Sequence, residues 1–170
     1  EGEAREKAQW LRQALLKEAE ARGVEVRDRL MQYFREGEMW GSVKPPIEKE
    51  VEVEGKKVRV RVEEVEAWRE QRETREHLVV KVRAKVFEGE REVAVKKEAR
   101  FFKRRRGAIG YVNMRADAEG GREADYVRTA AVLKALGVES WSRQKGQIHL
   151  TGSALDTLMR LEPVCTTLGQ

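Results

Sequence analysis

The chain has 170 residues, 40% of them hydrophobic and 38% charged, with a net charge of +5 and a pI near 9.4. That length supports one hydrophobic core. A single cysteine, Cys165, excludes an internal disulfide. No run of about 18 apolar residues offers a helical membrane span, so neither a membrane partner nor a membrane location is expected. Glu, Lys and Arg dominate while Asn occurs once, as Asn113; this is the bias of hyperthermophilic proteins, in which ion-pair networks are favoured. The opening "EGEAREKAQW" is charged, has no initiator methionine and does not read as a signal peptide. It is expected to be the start of a piece of a longer, cytoplasmic chain.

In chain order, Ala8, Leu11, Leu15 and Ala19 form a stripe at helical spacing that predicts a helix over 3–22, stopped by Gly23. Val26, Leu30, Tyr33 and Phe34 predict a second helix over 25–36, broken by Gly37, Gly41 and Pro45-Pro46. Residues 1–41 are thus expected to be a helical N-terminal segment. Residues 42–170 are expected to hold an antiparallel sheet and two C-terminal helices, continuous with that segment or separate from it.

Alternation begins with "KEVEVEGKKVRVRV", where Val51 and Val53 precede Gly55 and Val58, Val60 and Val62 follow it. Two strands joined by a tight turn are predicted. Residues 63–76 are charged and fit a continuing edge strand, a short helix or a loop. "HLVVKVRAKVF" then places Leu78, Val80, Val82, Ala84 and Val86 on one face and Lys81, Arg83 and Lys85 on the other. "REVAVKKEARFF" returns with Val93, Val95, Ala99 and Phe101 facing the core. Lys97 falls on the core face and suggests a bulge. Phe101 and Phe102 are read as sealing the core at the strand end, with "KRRRG" as the turn.

Residues 108–116 predict a strand with Val112 and Met114 inward and Tyr111, Asn113 and Arg115 outward. Tyr126, Ala130, Leu133 and Leu136 mark a helix closed by Gly137. A hairpin turns at Lys145-Gly146. A last helix, "SALDTLMRLEP", is predicted with Ser153 and Asp156 as its N-terminal cap pair and Pro163 at its end. The fold class is α+β, an antiparallel sheet with helices packed on one face.

The polar residues of neighbouring strands collect on the other face. Lys81, Arg83, Lys85, Lys96, Arg100, Tyr111, Asn113 and Arg115 are expected there, with Lys103, Arg104, Arg105 and Arg106 projecting from the turn. Residues 79–106 hold eleven Lys or Arg against four Glu, whereas the remainder of the chain is slightly acidic. Like charges across strands repel, and a surface selected for solubility would intersperse carboxylates. A phosphate backbone explains the concentration, since each neutralised phosphate releases counterions. Lys and Arg would position the chain on phosphates, and Asn113 and Arg115 would read base edges. A nucleic-acid partner, duplex DNA first, is therefore expected. The alternative is a non-catalytic interaction domain whose charges are a thermophile's solvated surface.

Catalytic constellations are missing from the sequence. His77 and His149 lie far apart without metal-ligand spacing, Cys165 has no evident base, and no phosphate-binding Gly-rich loop occurs. Asp28, Asp125 and Asp156, three of the four aspartates, are read as exposed or capping residues on helices. No cofactor is expected, apart from Mg²⁺ if the chain is a nuclease.

The segment "YVRTAAVLKALGVESWSRQKGQIHLTGSALDTLMRLEPV" resembles one half of a LAGLIDADG-type homing endonuclease, in which a helix, a two-strand hairpin and a further helix follow one another. The resemblance covers residues 108–163. "LTGSALDTLMRLEPVC" also resembles the archaeal PaRep proteins, repeat-encoded families of hyperthermophilic crenarchaea. The endonuclease resemblance implies a sheet that lies in the DNA major groove and a catalytic acid at the end of the namesake helix. Its nearest counterpart here is "LMQYFREGE", Leu30 to Glu38, so Glu36 and Glu38 are the candidate acids. Gln32 and Arg35 depart from the motif, where a small residue and an acid belong. The implied protein is a DNA-binding module degenerate as a nuclease, with an active Mg²⁺-dependent endonuclease as a further reading.

Overall fold

The computed structural model describes residues 41–105 and 107–169. The two predicted N-terminal helices, with Asp28, Glu36 and Glu38, and the turn residue Arg106 lie outside the described residues. Among the described residues, seven strands form one antiparallel sheet in the order β1-β2-β3-β4-β5-β7-β6. They are β1 (Ile47–Val53), β2 (Lys56–Arg72), β3 (Arg75–Glu88), β4 (Arg91–Arg104), β5 (Gly107–Asn113), β6 (Ser142–Gln144) and β7 (Gln147–Thr151). Helices α1 (Gly121–Ala135), α2 (Gly152–Leu158) and α3 (Glu162–Gly169) complete the α+β architecture.

The near face of the sheet packs against all three helices around a single core. Val60, Val62, Val80, Val86, Phe101 and Ile148 from the strands meet Leu133, Leu155, Leu158 and Val164 from the helices. Helix α1 lies over β1 to β4, α2 over β5 and β7, and α3 over β2. Of the strand residues expected to face inward, Leu78, Val80, Val82, Ala84, Val86, Val95, Ala99, Phe101, Val112 and Met114 are buried, while Val93 is half-buried. Gly137 has φ +96° and ends α1 in a Schellman arrangement. The Val138 N–H donates to the Leu133 carbonyl at 2.9 Å and the Gly137 N–H to the Lys134 carbonyl at 3.0 Å. Gly110 is required where it stands, because a Cβ there would lie 2.5 Å from the Phe101 ring.

Several expectations are corrected. The ambiguous stretch 63–76 is strand: β2 runs unbroken to Arg72, and β3 begins at Arg75. A bulge between Val62 and Glu64 moves the inward phase from Val58, Val60 and Val62 to Val65 and Ala67. One alternation across the whole strand is therefore absent from its sequence. No bulge occurs at Lys97, since β3 and β4 stay in register from Glu88 opposite Arg91 to His77 opposite Phe102. The last helix is two. The first stops at Leu158, and Pro163 sits in the first turn of α3 instead of ending its predecessor, a position where a missing N–H costs nothing. Thr151, not Ser153, is the N-cap of α2, and its hydroxyl meets that of Ser153 at 2.7 Å.

Lys97 faces the core at 8% exposure and Asp125 of α1 meets it at 5%. The Lys97 Nζ donates to Asp125 Oδ2 at 2.5 Å and to the Asn113 carbonyl at 3.2 Å. Asp125 also accepts the Arg115 N–H at 2.7 Å. Asp125 is thus buried, contrary to the reading of it as an exposed helix residue. Arg128, one turn further along α1, is buried too. Its Nε and one terminal amine each reach Glu88 at 3.1 Å, and the other donates to the Glu119 carbonyl at 2.6 Å. These charges fix α1 against β3 and β4.

Candidate nucleic-acid interface

The far face of the sheet, away from the helices, is built by strict alternation. Lys81, Arg83 and Lys85 of β3, Lys96 and Arg100 of β4, and Tyr111 and Asn113 of β5 all lie on it, as their registers require. Arg115 does not. Strand β5 stops at Asn113, and the Arg115 guanidinium turns to Asp117, with contacts of 3.1 and 3.0 Å.

The centre of this face is not a single-sign field. Because β2 continues past its bulge, Glu64, Glu66 and Glu70 stand beside Arg83, Lys81 and His77. Arg83 meets Glu64 at 2.5 Å, and Lys85 lies 3.3 Å from Glu92 and 3.9 Å from Glu63. Arg100, whose side chain is 14% exposed, is held by Glu70 and lies 3.7 Å from Glu98. The Arg100 hydrogen bond keeps the Glu70 carboxyl below its ordinary range. Glu64 and Glu66 share a hydrogen bond that lowers the first and raises the second. Asn113 accepts from the Gln147 amide at 2.9 Å. Val79, between Trp68 and Arg100 in register, is fully buried on this side of the sheet. The sequence count missed the neutralisation because it did not assign β2 beyond Val62.

The end of the face, where the β2–β3 and β4–β5 turns meet, is different. Phe102 was expected to seal the core, but alternation puts only Phe101 there, at 1% exposure. Phe102 faces the far side opposite His77. The two rings stack with centroids 5.2 Å apart and 19° between planes, and Tyr111 meets Phe102 edge-on at 6.5 Å. The Arg75 and Arg104 guanidinium carbons lie 5.2 and 5.6 Å from the Phe102 centroid, within cation–π range.

Lys103, Arg104 and Arg105 are exposed. Among the described residues, Arg75, Arg104 and Arg105 have no carboxylate within ion-pair distance. An open cleft of ≈ 560 Å³ lies here, lined by Arg72, Glu73, Thr74, Arg75, His77, Phe102 and Tyr111. Burial, then the charges of Arg100 and Arg72, push the His77 imidazole below its ordinary value, against the opposing pull of Glu70. Its Nδ1 is buried without a hydrogen-bond partner, which also suits a neutral ring.

His149 is a strand residue whose Nε2 lies 3.1 Å from Gln147 Oε1. The Cys165 thiol is half-buried, and burial raises its pKa. Among the described residues no three His, Cys, Asp or Glu side chains gather as a metal set, and no helix is long and apolar enough to cross a membrane. No protein-family model, curated protein or solved structure matches the chain.

Proposed function

We propose that the chain is a cytoplasmic nucleic-acid-binding module that uses the far face of its sheet, in the manner of a LAGLIDADG-like half-domain degenerate as a nuclease, and that it is akin to the PaRep proteins. The observation that carries this reading is the pair of Arg75 and Arg104 over the half-buried Phe102 ring at one end of the sheet, with Arg105 exposed in the adjoining turn. Unneutralised guanidinium groups are suited to phosphate oxygens, which they bind bidentately. Lys81 and Lys96 extend the positive surface towards the centre of the face, and Arg106 belongs to the same turn in sequence.

A second reading, a non-catalytic protein-interaction domain, draws on the paired charges at the centre of the face, where Arg83 and Arg100 already hold carboxylates. Equilibrium binding to a random duplex and to a single strand at about 50 and 200 mM salt separates the two, since phosphate contacts make affinity fall steeply with salt. Salt-dependent binding is the expected result. No binding to either strand form at the lower salt removes the nucleic-acid reading and leaves the interaction domain.

A further inference from the structure

We infer that the cleft at the end of the far face takes an unpaired nucleobase, so that the preferred ligand is single-stranded nucleic acid or a frayed duplex end and not an intact major groove. This rests on the nucleic-acid reading above and departs from its LAGLIDADG-like docking in a major groove.

Three features combine. First, the aromatic side chains come from three adjacent strands: His77 from β3, Phe102 from β4 and Tyr111 from β5. Hydrogen bonding through the sheet holds their backbones, and His77 stacked on Phe102 with Tyr111 edge-on makes a ring cluster with little ordering left to do on binding. His77 and Phe102 are directly opposed in register, and Tyr111 is opposite Arg100, one place along the same face of β4. A base stacks on such a surface whatever its identity, because every base has a π-face.

Second, two cations flank the Phe102 ring, in a cleft that Glu73 also lines. Arg75, the first residue of β3, and Arg104, the last of β4, lie over Phe102. Their centroid distances of 5.2 and 5.6 Å exceed the 4.0 Å of Arg143 over Tyr126 and the 4.2 Å of Arg59 over Phe87. They are loosely seated, and without a carboxylate partner among the described residues they have N–H groups to offer a phosphate. Arg105 continues the cationic track beyond the rings. Third, the cleft has room: ≈ 560 Å³ lies within the range of about 300–1,000 Å³ that holds small organic ligands.

A duplex fits this end of the sheet less well. Its bases are stacked and their faces covered, so the aromatic platform would meet only a sugar–phosphate edge. The central strands, which would have to enter a groove, carry Glu64, Glu66 and Glu98 among their cations, and those carboxylates repel phosphates. An acidic peptide would satisfy the cations but leave the aromatic platform unused.

The test is fluorescence anisotropy with the full 170-residue chain, using an oligo-dT of about 12 nucleotides, a random duplex of the same length and a polyglutamate peptide. The expected order is single strand tighter than duplex by about tenfold or more, with polyglutamate weakest. Phe102→Leu keeps the apolar volume but removes the π-face, and is expected to weaken oligo-dT binding by about tenfold, the effect of losing one stacked base. Duplex binding should change less than about twofold on the same scale. Tyr111→Leu, an independent variant on a different strand, is expected to act in the same direction if Phe102→Leu lowers the melting temperature.

Oligo-dT affinity unchanged in both variants overturns the inference, while persistent salt-dependent duplex binding would leave the nucleic-acid reading intact. Tighter binding of polyglutamate than of oligo-dT overturns both.

Discussion

The centre and the end of the far face carry the same residue types and differ in what stands beside them. At the centre, Arg83 of β3 is opposed by Glu64 of the neighbouring strand β2, and Arg100 of β4 reaches across β3 to Glu70 of β2. At the end, Arg75 begins β3, Arg104 ends β4 and Arg105 lies in the following turn, and among the described residues none of the three has a carboxylate within ion-pair distance. A charge count along a chain is not a field: cross-strand pairing cancels cations inside the sheet and leaves those at its strand ends. The pair of Lys97 and Asp125 is the limiting case, a cation cancelled within the core.

The largest effect tests that limiting case. Asp125→Ala leaves Lys97 buried and unpaired, and is expected to cost about 3–5 kcal/mol in chemical denaturation. Adding Lys97→Met should recover much of that loss, because the buried charge is then gone. If the single variant is as stable as the parent chain, Lys97 reaches solvent and the core assignment of β4 is wrong at that position.

Next in size is the contrast between end and centre. Replacing Lys103, Arg104 and Arg105 together by Gln should flatten the slope of log K against log salt for a duplex by up to about 3, since each lost phosphate contact removes about 0.9. Replacing Arg83 and Lys85 by Gln should change that slope by less than about 1 on the same scale, as both already hold glutamates. Equal losses from the two variants would erase the distinction between the regions.

The smallest effect concerns His77. Its folded pKa lies below its unfolded value, chiefly through burial, so the unfolded chain takes up the proton more readily. The associated stability is present above about pH 6.5, the ordinary imidazole value, and is lost as pH falls from there towards the folded pKa. The melting temperature of the parent chain should therefore fall more between pH 7.5 and 5.5 than that of His77→Gln. Identical pH profiles would mean that the ring is as solvated as in the unfolded chain.

Much of the fold was legible because alternation is local. The strands around Val80 and Val95, the helix ending at Gly137 and the hairpin at Lys145-Gly146 each follow from a few consecutive residues. Of the candidate site, the far-face placement of Lys81, Arg83, Lys85, Lys96 and Arg100 was legible for the same reason. Arg115 was not, because where β5 stops depends on the contact of the Arg115 N–H with Asp125, ten residues on. His77 and Phe102 were individually visible, but nothing near either residue says that they stack.

The sequence by itself determined the antiparallel α+β architecture, the buried valine rows and the concentration of cations in residues 79–106. Only the tertiary structure decided which of those cations remain unpaired. The bulge after Val62 turns Glu64, Glu66 and Glu70 towards the far face, and Asp125, 28 residues from Lys97, neutralises that buried lysine. The side of a strand on which a residue falls is fixed by a period of two along the chain. Its partner is set by register between strands, which bulges and turns far away in sequence control.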